Sequence, residues 1–145
     1  MDTSPRLLLL GALALIAGCT AIGAKPATRC FHSNDAIEVS IGYCQALREG
    51  RTLHVSGITG QGEMAAAVRS VYERMGRVLA ANGYTFADVV KENVYATDLD
   101  AFIRNKDIRK EFYQDDVPAA TWVQVQRLYL PAFVVEIEVT AAKRP

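Results

Sequence analysis

Two carboxylates stand two residues apart near the end of the chain, in a segment that reads VVEIEVT. Successive side chains of a β-strand point to opposite faces, so Glu136 and Glu138 share one face of the predicted strand. A carboxylate in a cleft can position water and accept its proton. On a half-exposed strand the same pair only improves solubility. The spacing by itself leaves both interpretations open.

Cysteine and histidine are the other residues with reactive or metal-binding side chains. The chain has no CxxC and no Cys/His cluster with metal-ligand spacing, so we predict no metal site. His32 and His54 match no ligand pattern, and His54 alternates with apolar strand residues, which predicts a structural role. Cys30 and Cys44 form either a disulfide or two free, partly buried thiols, because sequence alone cannot set the distance between them.

The N-terminal segment resembles a bacterial export signal. Residues 7–15 are a short apolar run, too short for a confident membrane span. Ile16–Cys19 (IAGC) resembles a lipobox, which implies cleavage before Cys19 and lipidation of its thiol. Thr20 follows, with no Asp to retain the protein in the inner membrane, so we expect a periplasm-facing anchor in the outer membrane. An ordinary secretory signal or an uncleaved anchor remains the alternative.

The length and the net charge of the chain limit the number of domains and the kinds of partner. Cleavage removes 18 of the 145 residues and leaves 127, enough for one domain with one core. We assign residues 1–18 to the signal, 19–35 to the lipidated cysteine and a tether, and 36–145 to the domain. The net charge is zero, and no basic run is present, so the sequence offers no footprint for nucleic acid.

Hydrophobic periodicity predicts the elements that position these side chains. Strands are expected at residues 36–47, 52–59, 89–96, 121–129 and 132–141, and helices at residues 63–82 and 101–113. Gly50 suits the turn of a hairpin between the first two strands. The order β-β-α-β-α-β-β predicts an α+β fold, with one mixed sheet covered on one face by two helices. Apolar residues on both faces of the last strands, such as Val123 beside Trp122, predict that a second subunit covers the open face.

Three further motifs, taken together, carry a family resemblance. Residues 117–142 combine Pro118-Ala119 with the closing strand that holds Glu136 and Glu138; residues 84–102 read YTFADVVKENVYATDLDAF; and the hairpin ends in Ser56-Gly57. The chain from about residue 41 to residue 142 resembles the RidA (YjgF-like) family of reactive-intermediate deaminases. The resemblance implies a homotrimer with a chorismate-mutase-like fold, a small-molecule cleft at each subunit interface, and cofactor-free hydrolysis of imines and enamines.

The resemblance also assigns roles to individual residues. Glu136 would activate water, and Tyr43, Ser56 and Gly57 would shape the pocket. Ala120 stands where the family has an arginine that binds the substrate carboxylate, and no neutral side chain reproduces a guanidinium's paired charge-assisted hydrogen bonds. Trp122 shares the strand face of Ala120 and either reshapes the cleft or packs at the trimer interface.

Three functions remain open at this stage. The protein is a member that has diverged from 2-imino acid hydrolysis, an active deaminase of the 2-iminopropanoate/2-iminobutanoate type, or a non-catalytic interaction module. An active deaminase would need another cation, for which Lys106 and Arg104 are candidates. Arg127 lies an odd number of residues from Ala120 and is therefore expected on the opposite strand face. Chorismate mutase activity would need several pocket arginines that the sequence does not provide.

Overall fold

The computed structural model describes residues 29–144. The predicted signal, Cys19 and most of the predicted tether lie outside the described residues. The strands are β1 (Arg29–Phe31), β2 (Ala46–Glu49), β3 (Thr52–Gln61), β4 (Val89–Ala96), β5 (Ala119–Gln124) and β6 (Phe133–Ala142). The helices are α1 (Asp35–Ser40), α2 (Met64–Ala81), α3 (Leu99–Arg104) and α4 (Asp107–Tyr113).

The six strands form one mixed sheet in the order β1-β2-β3-β6-β4-β5. Strands β4 and β5 pair in parallel, and all the other neighbours pair antiparallel. Strand β6 thus lies in the centre, between the hairpin β2–β3 and the parallel pair. This arrangement confirms the predicted α+β class with a single mixed sheet.

The long helix α2 packs on one face of the sheet, and α3 and α4 extend the same layer. The Glu63 side chain accepts a hydrogen bond from the Ala66 amide and caps the start of α2. Its apolar stripe, which includes Val68, Val71, Met75 and Leu79, is fully buried. Alternate residues of β6 (Val135, Ile137, Val139 and Ala141) face this layer and complete the core.

The predicted strand at residues 36–47 is wrong over most of its length. Its first part is helix α1, because the Asn34 side chain caps the Ile37 amide and the Glu38 carboxylate accepts from the Ser33 and Asn34 amides. Only Ala46–Glu49 is extended, while Gly42 turns the chain with φ of +69°. The short edge strand β1 falls in the region predicted as tether. The hairpin turn at Gly50 is confirmed, with φ of +58°.

The predicted helix at residues 101–113 is two helices. Asp98 caps α3 by accepting a hydrogen bond from the Ala101 amide. The chain between α3 and α4, Asn105–Lys106, belongs to neither helix. Strand β5 ends at Gln124, five residues before the predicted end at residue 129.

The open face of the sheet is polar near its centre rather than apolar. It carries Lys91, Asn93 and Tyr95 from β4, and Glu136, Glu138 and Thr140 from β6. The fully buried apolar residues of β6 alternate with these and belong to the core, whereas Val134 shares the strand parity of Glu136. The covering subunit stays a prediction: the sheet centre is polar, whereas Val123 on β5 is 38% exposed.

Among residues 29–144, no helix is both long enough and apolar enough to cross a membrane.

Candidate functional site

Glu136 projects from central strand β6 onto the open face of the sheet. Its neighbours Val135 and Ile137 point into the core, so the strand alternation aims this carboxylate away from the helices. Glu136 pairs with Thr59 of β3 and with Tyr95 of β4. Its side chain lies over Gly57, where an added Cβ would come within 2.7 Å of the Glu136 Cγ and Cδ. Glycine at position 57 is therefore what makes room for the carboxylate.

The loop before β2 brings Tyr43 to the same place. Its hydroxyl donates to the Gly57 carbonyl at 3.4 Å, and its amide is held by the Glu38 carbonyl at 2.8 Å. The Ser56 hydroxyl donates to the Cys44 carbonyl at 2.7 Å. The structure thus brings together four of the residues predicted from the sequence: Tyr43, Ser56, Gly57 and Glu136. The Ser56 hydroxyl, however, is already hydrogen-bonded to the loop that carries Tyr43.

The two carboxylates of β6 have different surroundings. Glu138 accepts hydrogen bonds from Asn93 Nδ2 at 2.8 Å and from the Tyr95 hydroxyl at 3.0 Å. Among residues 29–144, Glu136 accepts no side-chain hydrogen bond. Partial burial, and secondarily the negative charge of Glu138, raise the pKa of Glu136. Burial also raises the pKa of Tyr43. Glu136 is therefore suited to accept a proton. Glu138 is instead fixed in place by its two hydrogen bonds.

An open cavity of about 360 Å³ adjoins Glu136. It is lined by Tyr95, Val125, Arg127, Leu128, Tyr129, Glu136 and Glu138. Arg127 therefore lies beside the carboxylates, with its guanidinium donating to the Tyr129 carbonyl at 3.4 Å. Arg127 was expected on the face opposite Ala120, and it does line the cavity on the Glu136 side of the sheet, although β5 has already ended at Gln124. Lys106 and Arg104 do not line this cavity.

Ala120 and Trp122 lie on the other face of the sheet. Ala120 is in register with Glu92 of β4, and directly paired residues point to the same side, here toward the helices. The Trp122 indole donates to Glu92 Oε1 at 3.4 Å and packs edge-on against Phe102. Within one chain, then, the sheet separates these two residues from Glu136. Their predicted roles in a cleft stay predictions.

A buried polar network under Trp122 was not anticipated. Glu92 is fully buried and accepts from Arg109 Nε at 2.6 Å and from the Tyr72 hydroxyl at 2.8 Å. Arg109, 7% exposed, also stacks on the Tyr113 and Trp122 rings. The sequence did hold a signal, since Glu92 shares strand parity with the apolar Val94 and so had to be buried on the core side.

Two cysteines and one histidine lie close together, although their spacing in the sequence did not predict a cluster. Cys30 of β1 and Cys44 form a disulfide, with their Cα atoms 5.5 Å apart. His32 lies beside it, and the ligand atoms of Cys30, His32 and Cys44 are all within 4.8 Å of one another. The pairing of β1 with β2 and the turn at Gly42 create this proximity, which sequence separation does not encode.

Comparisons with known proteins show what this chain is similar to. The family described as "Endoribonuclease L-PSP" matches residues 33–143. A RutC family protein of Pyrococcus horikoshii is 32% identical over 110 residues, which cover 70% of this chain and 86% of the relative. The bovine protein named 2-iminobutanoate/2-iminopropanoate deaminase is 31% identical over 112 residues, 71% of this chain and 81% of the relative.

A solved structure shows the same architecture. The crystal structure of a member of the YjgF/YER057c/UK114 family from Mycobacterium tuberculosis superposes with a TM-score of 0.75 at 30% identity. The match covers 81% of this chain and 100% of that one.

Proposed function

Because the chain belongs to the endoribonuclease L-PSP family, which includes the RidA and YjgF proteins, we propose that it hydrolyses imines or enamines at Glu136 without a cofactor. The observation that carries the proposal is the half-buried Glu136 carboxylate, seated on Gly57 beside Tyr43 and with no ion pair among residues 29–144. The name of the bovine relative, an iminobutanoate and iminopropanoate deaminase, supplies the reaction class.

The reaction needs one proton acceptor and one water. Glu136 accepts a proton from water as the water oxygen bonds to the imine carbon, and the C=N electron pair moves to nitrogen. The same carboxyl then returns this proton to nitrogen, and the hydroxyl proton of the resulting carbinolamine follows it to nitrogen as the C–N bond breaks and the C=O bond forms. The products are a carbonyl compound and ammonia, so one water is consumed per imine. A raised pKa makes Glu136 a better base than an ordinary surface carboxylate.

Because Ala120 stands where relatives are expected to bind the substrate carboxylate with an arginine, we expect substrates other than simple 2-imino acids. A guanidinium forked on a carboxylate supplies two charge-assisted hydrogen bonds, each worth about 1.5–3 kcal/mol. Their loss weakens handling of a 2-imino carboxylate by roughly a hundredfold or more. Residual turnover of such substrates would rest on Arg127, the cation that lines the cavity beside Glu136. The preferred ligand is therefore a small imine with apolar or aromatic character.

We propose a homotrimer with its cleft between subunits. In one chain the sheet separates Ala120 and Trp122 from Glu136, so a single cleft containing all three needs a second copy. Light scattering of the full-length protein tests the stoichiometry, and a monomer would refute this arrangement.

We also propose that the domain is anchored in the cell envelope through Cys19 and faces the periplasm. The Cys30–Cys44 disulfide supports this location, because disulfides persist in oxidising compartments. Replacing Cys19 with Ser should move the protein from the membrane to the soluble fraction. An unchanged distribution would favour an ordinary signal or an uncleaved anchor.

The deciding experiment measures 2-iminopropanoate and 2-aminoacrylate hydrolysis by the full-length protein in nonionic detergent. Glu136→Gln should lower turnover to a small residual rate, whereas Glu73→Gln, at an exposed helix position, should leave it unchanged. Ala120→Arg should raise turnover of these 2-imino acids. An active parent that is unaffected by Glu136→Gln would refute the assigned base. An inactive parent that gains nothing from Ala120→Arg would favour a non-catalytic interaction module.

RNA cleavage, which the family description names, is not the function proposed. The net charge of zero offers no electrostatic attraction for a polyanion.

A further inference from the structure

The cluster around the disulfide has the composition of a metal site. Cys30, His32 and Cys44 present two sulfur atoms and one imidazole, with all three ligand atoms within 4.8 Å of one another. We propose that, when the disulfide is reduced, these three side chains bind one Zn²⁺. The site is separate from the Glu136 cavity and does not depend on the proposed hydrolase function.

The distances suit a tetrahedral zinc ion after small side-chain rotations. A zinc–sulfur bond of about 2.3 Å in a tetrahedral site places two thiolates roughly 3.8 Å apart. The Cα atoms of Cys30 and Cys44 are 5.5 Å apart, so separating the sulfurs requires no large backbone movement. His32 Nε2 already lies 3.1 Å from the Cys30 sulfur. Three protein ligands leave the fourth position to water.

The histidine is oriented as zinc-bound histidines are. While Nε2 faces the sulfurs, Nδ1 faces Glu38 Oε2 at 3.2 Å. A carboxylate on the far ring nitrogen fixes the tautomer and orientation of a metal-binding imidazole. Glu38 is itself 7% exposed and is held by the Ser33 and Asn34 amides at 3.1–3.2 Å. This supporting carboxylate is thus built into the start of α1 rather than being a chance surface contact.

Charge and access also favour zinc. Two thiolates neutralise the dication, and sulfur and imidazole are donors that zinc prefers over calcium or magnesium. Cys30 is exposed, and His32 and Cys44 are half-buried, so an ion can enter without unfolding. Zinc would tie β1 to the Tyr43 loop in place of the disulfide.

The chemistry balances with a dithiol as the reductant. The dithiol supplies two electrons and two protons, becomes a disulfide itself, and leaves Cys30 and Cys44 as thiols. Zinc then displaces the two thiol protons as it binds. The disulfide and the zinc complex are therefore alternative states of the same two sulfurs, selected by redox conditions.

The test uses the full-length protein in detergent, reduced with a dithiol, desalted anaerobically and titrated with Zn²⁺ against a chromogenic chelator. We expect one zinc per reduced chain and none per oxidised chain. His32→Ala should weaken binding at least about tenfold, the lower end of losses seen for outer-shell partners. His54→Ala, which removes the chain's other histidine, should change nothing.

Cobalt substitution of the wild-type protein keeps the test decisive if His32→Ala does not fold. Co²⁺ should give thiolate-to-metal charge-transfer absorption and the visible bands of a tetrahedral site in the reduced protein alone. Equal zinc binding by oxidised and reduced protein, equal binding by the two histidine variants, or a cobalt spectrum without thiolate bands would each overturn the proposal.

Discussion

Replacing Gly57 with Ala tests directly whether the position of the Glu136 carboxylate controls activity. The added methyl would lie 2.7 Å from the Glu136 Cγ and Cδ, whereas real Cβ contacts are practically never shorter than 3.0 Å. The backbone of Gly57 does not need a positive φ, so alanine is compatible with the local conformation. The clash is therefore relieved by moving the Glu136 side chain.

The size of the expected effect follows from that movement. Restoring an ordinary contact of 3.4 Å to Cγ and Cδ displaces them by 0.7 Å from 2.7 Å, and the carboxylate end, which lies closer, moves by about 1 Å. A misplacement of that size costs on the order of a hundredfold in rate. We expect kcat/KM for imine hydrolysis to fall about a hundredfold, with little change in the urea midpoint because Glu136 remains half-exposed.

A double-mutant cycle isolates the cause. The assay generates the imine with an amino-acid oxidase and follows its loss as the decrease of the semicarbazone trapped at fixed times. In a Glu136→Ala background, Gly57→Ala should have no further effect, because the clashing carboxylate is gone. Two results would show that the carboxylate position does not limit the reaction. One is a kcat/KM of Gly57→Ala within threefold of the wild-type value. The other is that Gly57→Ala lowers the residual rate of Glu136→Ala by the same factor as it lowers the wild-type rate.

Three other predictions concern charge and covalent structure. The hydrolysis rate should fall as the pH is lowered through the raised pKa of Glu136, with a midpoint above the usual value of about 4.3, in a profile corrected for uncatalysed hydrolysis; a midpoint at or below that value would contradict the assignment of the base. Replacing Cys30 and Cys44 with Ser opens a loop with a sequence separation of 14 and should lower the free energy of unfolding by about 3 kcal/mol in urea titrations; an unchanged midpoint would show that the disulfide does not constrain the unfolded chain. Arg109→Leu strands the buried Glu92 carboxylate and should destabilise the fold by about 3–5 kcal/mol, and adding Glu92→Leu should recover part of it; additive losses would mean that the pair is not coupled.

The local sequence pattern predicted an element correctly where buried residues recur at the spacing of a strand or a helix. Strand β4 was predicted with its observed bounds, and helix α2 within a residue of each end, because apolar residues recur there at strand and helix spacing. Pattern failed for α1, where apolar residues suggested a strand but the side chains of Asn34 and Glu38 cap backbone amides and stabilise a helical turn. The break between α3 and α4 likewise lacked a strong local signal.

Side-chain alternation along a strand is readable from the sequence, and it places Glu136 and Glu138 on one face of β6. The groups that contact this face are set by strand pairings between distant parts of the chain. Glu136 lies on Gly57 because β6 pairs with β3 across a long sequence separation. Arg127 lines the same cavity although the chain between it and Glu136 includes a loop. The distance between Cys30 and Cys44 depends on two turns and a strand pairing, which side-chain periodicity does not record.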